Sequence, residues 1–451
     1  MSVKWLFPSR NLLLLIGWLV VCPVAFHCRP ASTPEQLNQF LSRQLVEWNR
    51  SLTLVVITDV LTPPVCSRVY AYSNIAAYEV LRQLSPKAYP GFAGKLNGLQ
   101  QIPPADQDTN TCDYRIAAIV AYSTVAQQLV FNRGAVQELE NQFLDKLGQL
   151  NVDSRKISAS VDYGRKAGEL LFKWVAADGY LQRNARPAYI VTKQPGRWIP
   201  TPPDYMDAVE PNWKTLRPYF LDSAAQFRPV PPMAFDSNRN SLYFQQVKQV
   251  YQAVKDSAPE SALIARFWDC NPNISVTQGH VTYFQQKISP GGHWVHIAAS
   301  VCEKEKYDLL KTAQLLSTMA IAIAEGFISC WEAKYYYTTI RPETVINKYL
   351  DKDWRPLLQT PPFPEYPSGH SVVSGAASAV LTALVRPDYT FTDSTEVAFG
   401  MPVRTFSSFQ QAGQEASRSR LYGGIHYSQA LDNGYAQGQA VAQYLLRKLS
   451  H

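Results

Sequence analysis

Apolar residues recur at three- and four-residue spacing along most of this chain, and runs of strict alternation are scarce. A chain patterned this way buries helix faces and does not build sheets. Candidate helices cover about 35–50, 64–83, 113–131, 134–149 and 153–178. In the last of these, Ile157, Val161, Ala167, Leu170 and Leu171 share one stripe. Between about 190 and 236, Pro195, Pro200, Pro202, Pro203, Pro211, Pro218, Pro229, Pro231 and Pro232 interrupt any helix, because proline removes a donor and clashes with the turn before it. Trp198, Tyr205, Trp213 and Phe220 are interleaved with them, which predicts an ordered connector packed on the surface and not a loose linker. Helical patterning resumes at about 237–256, 258–268, 293–302, 305–339, 369–386, 406–421 and 427–448. The expected fold is all-α: a helical bundle at 29–190, a proline-rich connector at 191–236, and a second bundle at 237–451.

A length of 451 residues suffices for one large or two medium domains. With 46% hydrophobic and 18% charged residues, wholesale disorder is excluded. The formal charge of +7 is mild and lacks a dense Lys/Arg run, so it favours anionic ligands slightly and does not point to nucleic acid. There is no P-loop, GxGxxG or internal repeat, and Gly423-Gly424 is a local break between helices.

Lys4 and Arg10 precede an apolar run from Leu12 to Val21, with Cys22 and Cys28 beyond it. That order reads as an export signal over 1–28, and the run is short for a membrane span, which needs about 20 apolar residues. Simple secretion and a retained N-terminal membrane anchor are favoured over lipidation at Cys28, because His27 is bulky for that role. The expected location is periplasmic, extracellular or anchored by the N-terminus. No later stretch approaches transmembrane length without charge, so the body is expected to be soluble. Cys66, Cys112, Cys270, Cys302 and Cys330 form no CxxC pair, which argues against a zinc knuckle. Export would permit disulfides among them, without fixing a pairing or an oligomeric state.

Three segments of the C-terminal half concentrate unusual polar residues. In Trp331–Pro342, Lys334 and Arg341 stand seven apart, about two helical turns and nearly one face. Pro342 then biases Arg341 out of the helical region, so the helix is expected to end there. In Pro361–His370, prolines followed by Ser368-Gly369 mark a helix start, whose free N–H groups suit an anion, with His370 in the first turn. In Ser419–His426, the glycine pair lets the backbone turn, so that Arg420 and His426 can face one cavity. Each segment alone also has a plain explanation: cations at a helix C-terminus, a helix cap, a buried histidine.

In the order K-x6-R-P, P-S-G-H and S-R-x5-H, the three resemble the superfamily uniting vanadium-dependent haloperoxidases with type 2 phosphatidic acid phosphatases and bacterial class A acid phosphatases. The motif region spans 331–426. Trp198–Pro203, Phe267-Trp268-Asp269 and Gly292-His293-Trp294 extend the resemblance toward soluble bacterial haloperoxidase-like proteins. The resemblance implies that Lys334, Arg341, Arg420, Ser368 and the Gly369 N–H hold vanadate or phosphate. It implies that His426 binds vanadium, or attacks phosphorus, and that His370 is the acid or base. Three nearby cations would keep the His426 imidazole unprotonated, as either role requires. Phe363, five before Ser368, and Trp331, three before Lys334, match halide-pocket positions of chloroperoxidase-like members.

The phosphatase pattern places an acid four residues after the last histidine; here that residue is Ala430, and Asp432 lies about 240° around a helix from His426. Asp269 is a candidate partner for Arg420. The expectation is a vanadate-dependent enzyme oxidising halide, chloride or bromide, with hydrogen peroxide. The alternatives are a metal-free phosphatase acting on a phosphate ester through a phospho-histidine, and a helical protein that binds phosphate without turnover.

Overall fold

The computed structural model describes residues 33–105, 111–272 and 274–450. The export-signal reading of 1–28, with Cys22 and Cys28, lies outside the described residues. Within them the all-α expectation holds. The first five helices are α1 Pro34–Thr58, α2 Pro63–Leu81, α3 Tyr114–Gln127, α4 Arg133–Gln149 and α5 Ser154–Ala176. After the connector come α6 Leu242–Lys255, α7 Pro259–Phe267, α8 Pro290–Lys304, α9 Leu309–Tyr337 and α10 Pro342–Tyr349. The chain closes with α11 Gly369–Leu384, α12 Phe409–Tyr422 and α13 Ser428–Ser450. Two small antiparallel pairs join them: β1 Ser275–Gln278 with β2 Val281–Phe284, and β3 Phe391–Asp393 with β4 Arg404–Phe406.

Short polar side chains start most helices. Thr33, Asp113, Asn132, Asp153, Ser241, Ser289, Asp308, Ser368 and Ser408 each accept a hydrogen bond from a first-turn N–H, satisfying donors that the helix leaves free. The short α10 lies outside the sequence expectation. Pro342, which ends the preceding helical pattern, also occupies the first turn of α10, where its missing N–H costs nothing.

All nineteen residues of α2 are buried, and one hydrophobic core takes side chains from both halves, including Ile75, Ile116, Leu171, Leu316, Val372 and Val441. The helix α9 is long and apolar enough to cross a membrane by length and composition, though Lys311, Glu325, Glu332 and Lys334 interrupt its apolar run. Its most apolar window is 94% buried inside the protein, so its hydrophobicity serves packing against other helices. The connector also lies deeper than expected. Trp198, Trp213 and Phe220 are fully buried and only Tyr205 is exposed, because those rings fill the seam beside α9. Two connector N–H groups, of Phe220 and Leu221, donate to the buried Glu325 carboxylate on α9 at 2.8 and 3.4 Å. The five described cysteines are free thiols, all buried.

Helices α11 and α13 cross with their backbones nearly touching. A Cβ on Gly438 would overlap the Val372 carbonyl oxygen, and one on Gly434 would stand 2.9 Å from the Ser368 oxygen. Replacing Gly438 with Ala should therefore force the helices apart and cost about 1–3 kcal/mol, read as a fall in the midpoint of denaturant unfolding; an unchanged midpoint would refute this account of the crossing.

Candidate active site

Four chain segments converge below the α11 N-terminus. Lys334 lies in the last turn of α9, which Thr338 ends in the left-handed region at φ 51°. Arg341 is extended, at φ −77° and ψ 149°, and is the residue before α10. The two cations therefore reach the site from different elements, not from one face of a single helix as their spacing predicted. Ser368 caps α11, its Oγ accepting from the Ser371 N–H at 3.3 Å, and Gly369 and His370 open the helix. Arg420 sits in the last turn of α12, and Gly424 at φ 79° turns the chain so that His426 faces back toward it.

The three cations are buried, and main-chain oxygens hold them. Lys334 Nζ donates to the carbonyls of Pro364, Glu365 and Pro367 at 2.8, 3.1 and 2.6 Å. Arg341 Nε donates to Phe363 O and its Nη1 to Ile425 O, both at 2.9 Å. Arg420 Nη2 donates to Ala265 O at 3.2 Å and Trp268 O at 2.6 Å. Burial pushes Lys334 down to about 7 and Arg341 down to about 10. Burial lowers Arg420 as well, against the pull of Asp269.

His426 lies between a donor and an acceptor. Its Nε2 is 3.2 Å from Arg341 Nη1, which can only donate, so Nε2 accepts and the ring proton is on Nδ1. Nδ1 donates to Glu365 Oε1 at 2.8 Å, and the Tyr427 N–H donates to the same oxygen at 3.0 Å. Burial, then the charges of Arg341, Lys334 and Arg420, hold His426 well below the usual histidine range. It is a neutral imidazole with its Nε2 lone pair turned to the cations. His370 is also held well down, by burial and then by Arg420.

Gly369, His370, Arg420 and His426 line one cavity with the rings of Trp331 and Phe363, which stand 5.0 Å apart. Its volume is about 30 Å³, room for a few water-sized groups. A Cβ on Gly369 would stand 3.4 Å from the Trp331 ring and 4.0 Å from Lys334 Cε, so glycine keeps this cradle open. Arg341 Nη2 and His370 Nε2 are buried without a hydrogen-bond partner. Unmatched polar groups of this kind are costly, and an oxyanion would satisfy a guanidinium N–H. The arrangement thus brings together every site residue read from the sequence.

Two details correct that reading. The acid absent at Ala430 is supplied by Glu365, three residues before Ser368, whose carboxyl burial pushes up to about 7. A histidine that ligates a metal normally donates its other N–H to a carboxylate or carbonyl, and the only acid inside Pro361–His370 was the available signal. Asp269 lines the cavity but pairs with Lys287, Nζ to Oδ2 at 2.6 Å, and not with Arg420, whose Nη2 donates to two carbonyls and whose Nε donates to Ser419 Oγ.

The family model described as the VCPO second helical-bundle domain matches residues 314–451. No curated protein sequence matches the chain significantly. Among solved structures, a bacterial vanadium-dependent iodoperoxidase is 42% identical with a TM-score of 0.82, over 92% of this chain and 96% of that one. A holo-type bacterial vanadium-dependent chloroperoxidase is 18% identical at a TM-score of 0.66, over 87% and 94% of the two chains, and shares the fold. The chain belongs to the vanadium-dependent haloperoxidases. Vanadate, the cofactor this membership implies, fits the residues present: unpartnered Arg341 Nη2, the open cradle at Gly369, and a neutral imidazole nitrogen among cations.

Replacing Glu365 with Gln keeps the shape but removes the carboxylate. Vanadate affinity, measured by calorimetry, should fall about 10–100-fold with the fold intact; unchanged affinity would show that Glu365 does not orient His426.

Proposed function

We propose that the protein oxidises halide with hydrogen peroxide at a vanadate held through His426, with iodide as the preferred halide. The overall change is halide, peroxide and a proton to hypohalous acid and water. One observation carries the reading. His426 Nε2 is lone-pair bearing, fixed by Glu365 behind it and set among three buried cations that carbonyls leave electrically uncancelled. The iodide preference follows from the 42% identical iodoperoxidase.

Bound vanadate supplies Lewis acidity toward peroxide without changing oxidation state. Lys334, Arg341, Arg420, Ser368 and the Gly369 N–H would hold it, their preorganised positive field stabilising its negative charge. His370, neutral and with Nε2 free, takes a proton from peroxide and returns it to the departing water. Trp331 and Phe363 give halide an apolar wall where it is poorly hydrated. The cavity, about 30 Å³, suits peroxide and halide better than an organic molecule, whose pockets run to about 300 Å³ and more. The N-terminal sequence pattern supports an exported enzyme.

Glu365 removes one objection to the phosphatase alternative, since it supplies the orienting acid that reading lacked. A single pair of assays separates the two. Vanadate-dependent iodination of a trapping dye supports oxidation; hydrolysis of a phosphate monoester inhibited by vanadate supports the alternative. His426→Ala should abolish vanadate binding. His370→Ala should keep most of it yet lose about 10²–10⁴-fold in rate, and an unchanged rate would remove His370 from proton transfer.

Lys334 must be charged to hold the oxyanion, but burial brings it down to about 7 in the free protein. Above that pH, binding takes up a proton, so affinity falls as pH rises. Titration from about pH 6 to about pH 9 should show vanadate binding weakening toward about tenfold per unit. Affinity that is flat or rises with pH would contradict this.

A further inference from the structure

Behind the cavity, four buried side chains outside the oxyanion site meet at one point. Cys270 follows α7, His293 lies in the first turn of α8, and Asp393 and Glu396 lie at and after the end of β3. All four are nearly inaccessible, at 1%, 0%, 3% and 3% exposure. His293 Nδ1 is 3.0 Å from Glu396 Oε1 and 3.3 Å from Cys270 Sγ, and Sγ is 3.6 Å from the same carboxylate oxygen. Around one tetrahedral metal with bonds of about 2.3 Å to sulfur and about 2.0 Å to nitrogen and oxygen, such atoms stand about 3.3–3.6 Å apart. The observed triangle is within a few tenths of an ångström of that.

We propose that Cys270 Sγ, His293 Nδ1 and Glu396 form a site for a single divalent transition metal, zinc by ligand type. Asp393 is the independent observation. Its Oδ2 lies 2.7 Å from His293 Nε2, the carboxylate–histidine arrangement that fixes the tautomer of a ligating imidazole and turns the other nitrogen to the metal. Thiolate, imidazole and carboxylate together suit zinc, and three protein ligands leave a fourth position for water. Loading the site releases the protons of the thiol and of Nδ1, while Nε2–H stays on Asp393.

The site bears on the active cavity without belonging to its chemistry. Trp268 stacks on His293 at 4.6 Å, and its carbonyl holds Arg420. A metal clamping Cys270 to His293 therefore fixes the turn on which that arginine rests. Cys270 also lines the cavity, and as a metal ligand its sulfur would be shielded from the peroxide used next to it.

The test uses the full chain, freed of metal by chelator and without vanadate, so its outcome does not depend on the halide chemistry. Cobalt(II) serves as the spectroscopic probe. One equivalent should bind with tetrahedral d–d bands and a thiolate-to-cobalt charge-transfer band, and zinc should displace it and raise the melting temperature. Cys270→Ser should lose the charge-transfer band. Asp393→Asn, which leaves all three ligands in place, should bind about 10–100-fold more weakly. Wild-type protein that takes up no stoichiometric cobalt, or shows no thiolate band, overturns the proposal. So does an unchanged band in Cys270→Ser. If Cys270→Ser does not fold, the wild-type spectrum and the Asp393→Asn affinity decide.

Discussion

Three cations are buried in the interior of this protein, and their need for partners shapes everything around them. A carboxylate beside each would have been the ordinary solution, but it would also have cancelled the charge. Here the partners are peptide carbonyls from 363–367, from Ile425 and from the end of α7. Dipoles satisfy the N–H groups while leaving a net positive field, the condition for an anion to enter. The loops take their paths because their oxygens must reach those side chains. The acid beside the imidazole, Glu365, turns its carboxyl to His426 and the Tyr427 N–H, so it orients the ring without directly capping a cation.

The smallness of the cavity completes this design. A field of three charges around about 30 Å³ acts on whatever enters with little water to screen it. Small anions and peroxide are matched to that volume. Beside the cations, Trp331 and Phe363 make up the aromatic part of the cavity wall, their ring centroids 5.0 Å apart. The indole N–H of Trp331 is already given to Val209 O at 3.2 Å.

Much of this was legible from the chain because the relevant signals are local. Pro-Ser-Gly-His specifies a helix start and its anion cradle within four residues, and the helical periodicities located twelve of the thirteen described helices. What stayed hidden depends on distance in sequence. Glu365 meets His426 across sixty-one residues, and periodicity carries no information about such pairs. Asp269 pairs with Lys287, eighteen residues on, while Arg420 Nη2 donates to the carbonyls of Ala265 and Trp268. The eight residues of α10 are too few to show a period. The depth of the connector was masked by its prolines, which exclude helix but not burial.

The buried Glu325 on α9 has a consequence for dissecting the molecule. Its carboxylate is solvated by peptide N–H groups of Phe220 and Leu221, so the connector serves as part of the interior solvent of the second half. A fragment cut after the connector would strip that carboxylate of its donors and bare the side of α9 that α2 covers. The shortest autonomous unit must therefore include the first half as well, and interchange of catalytic halves between relatives would have to carry this seam along.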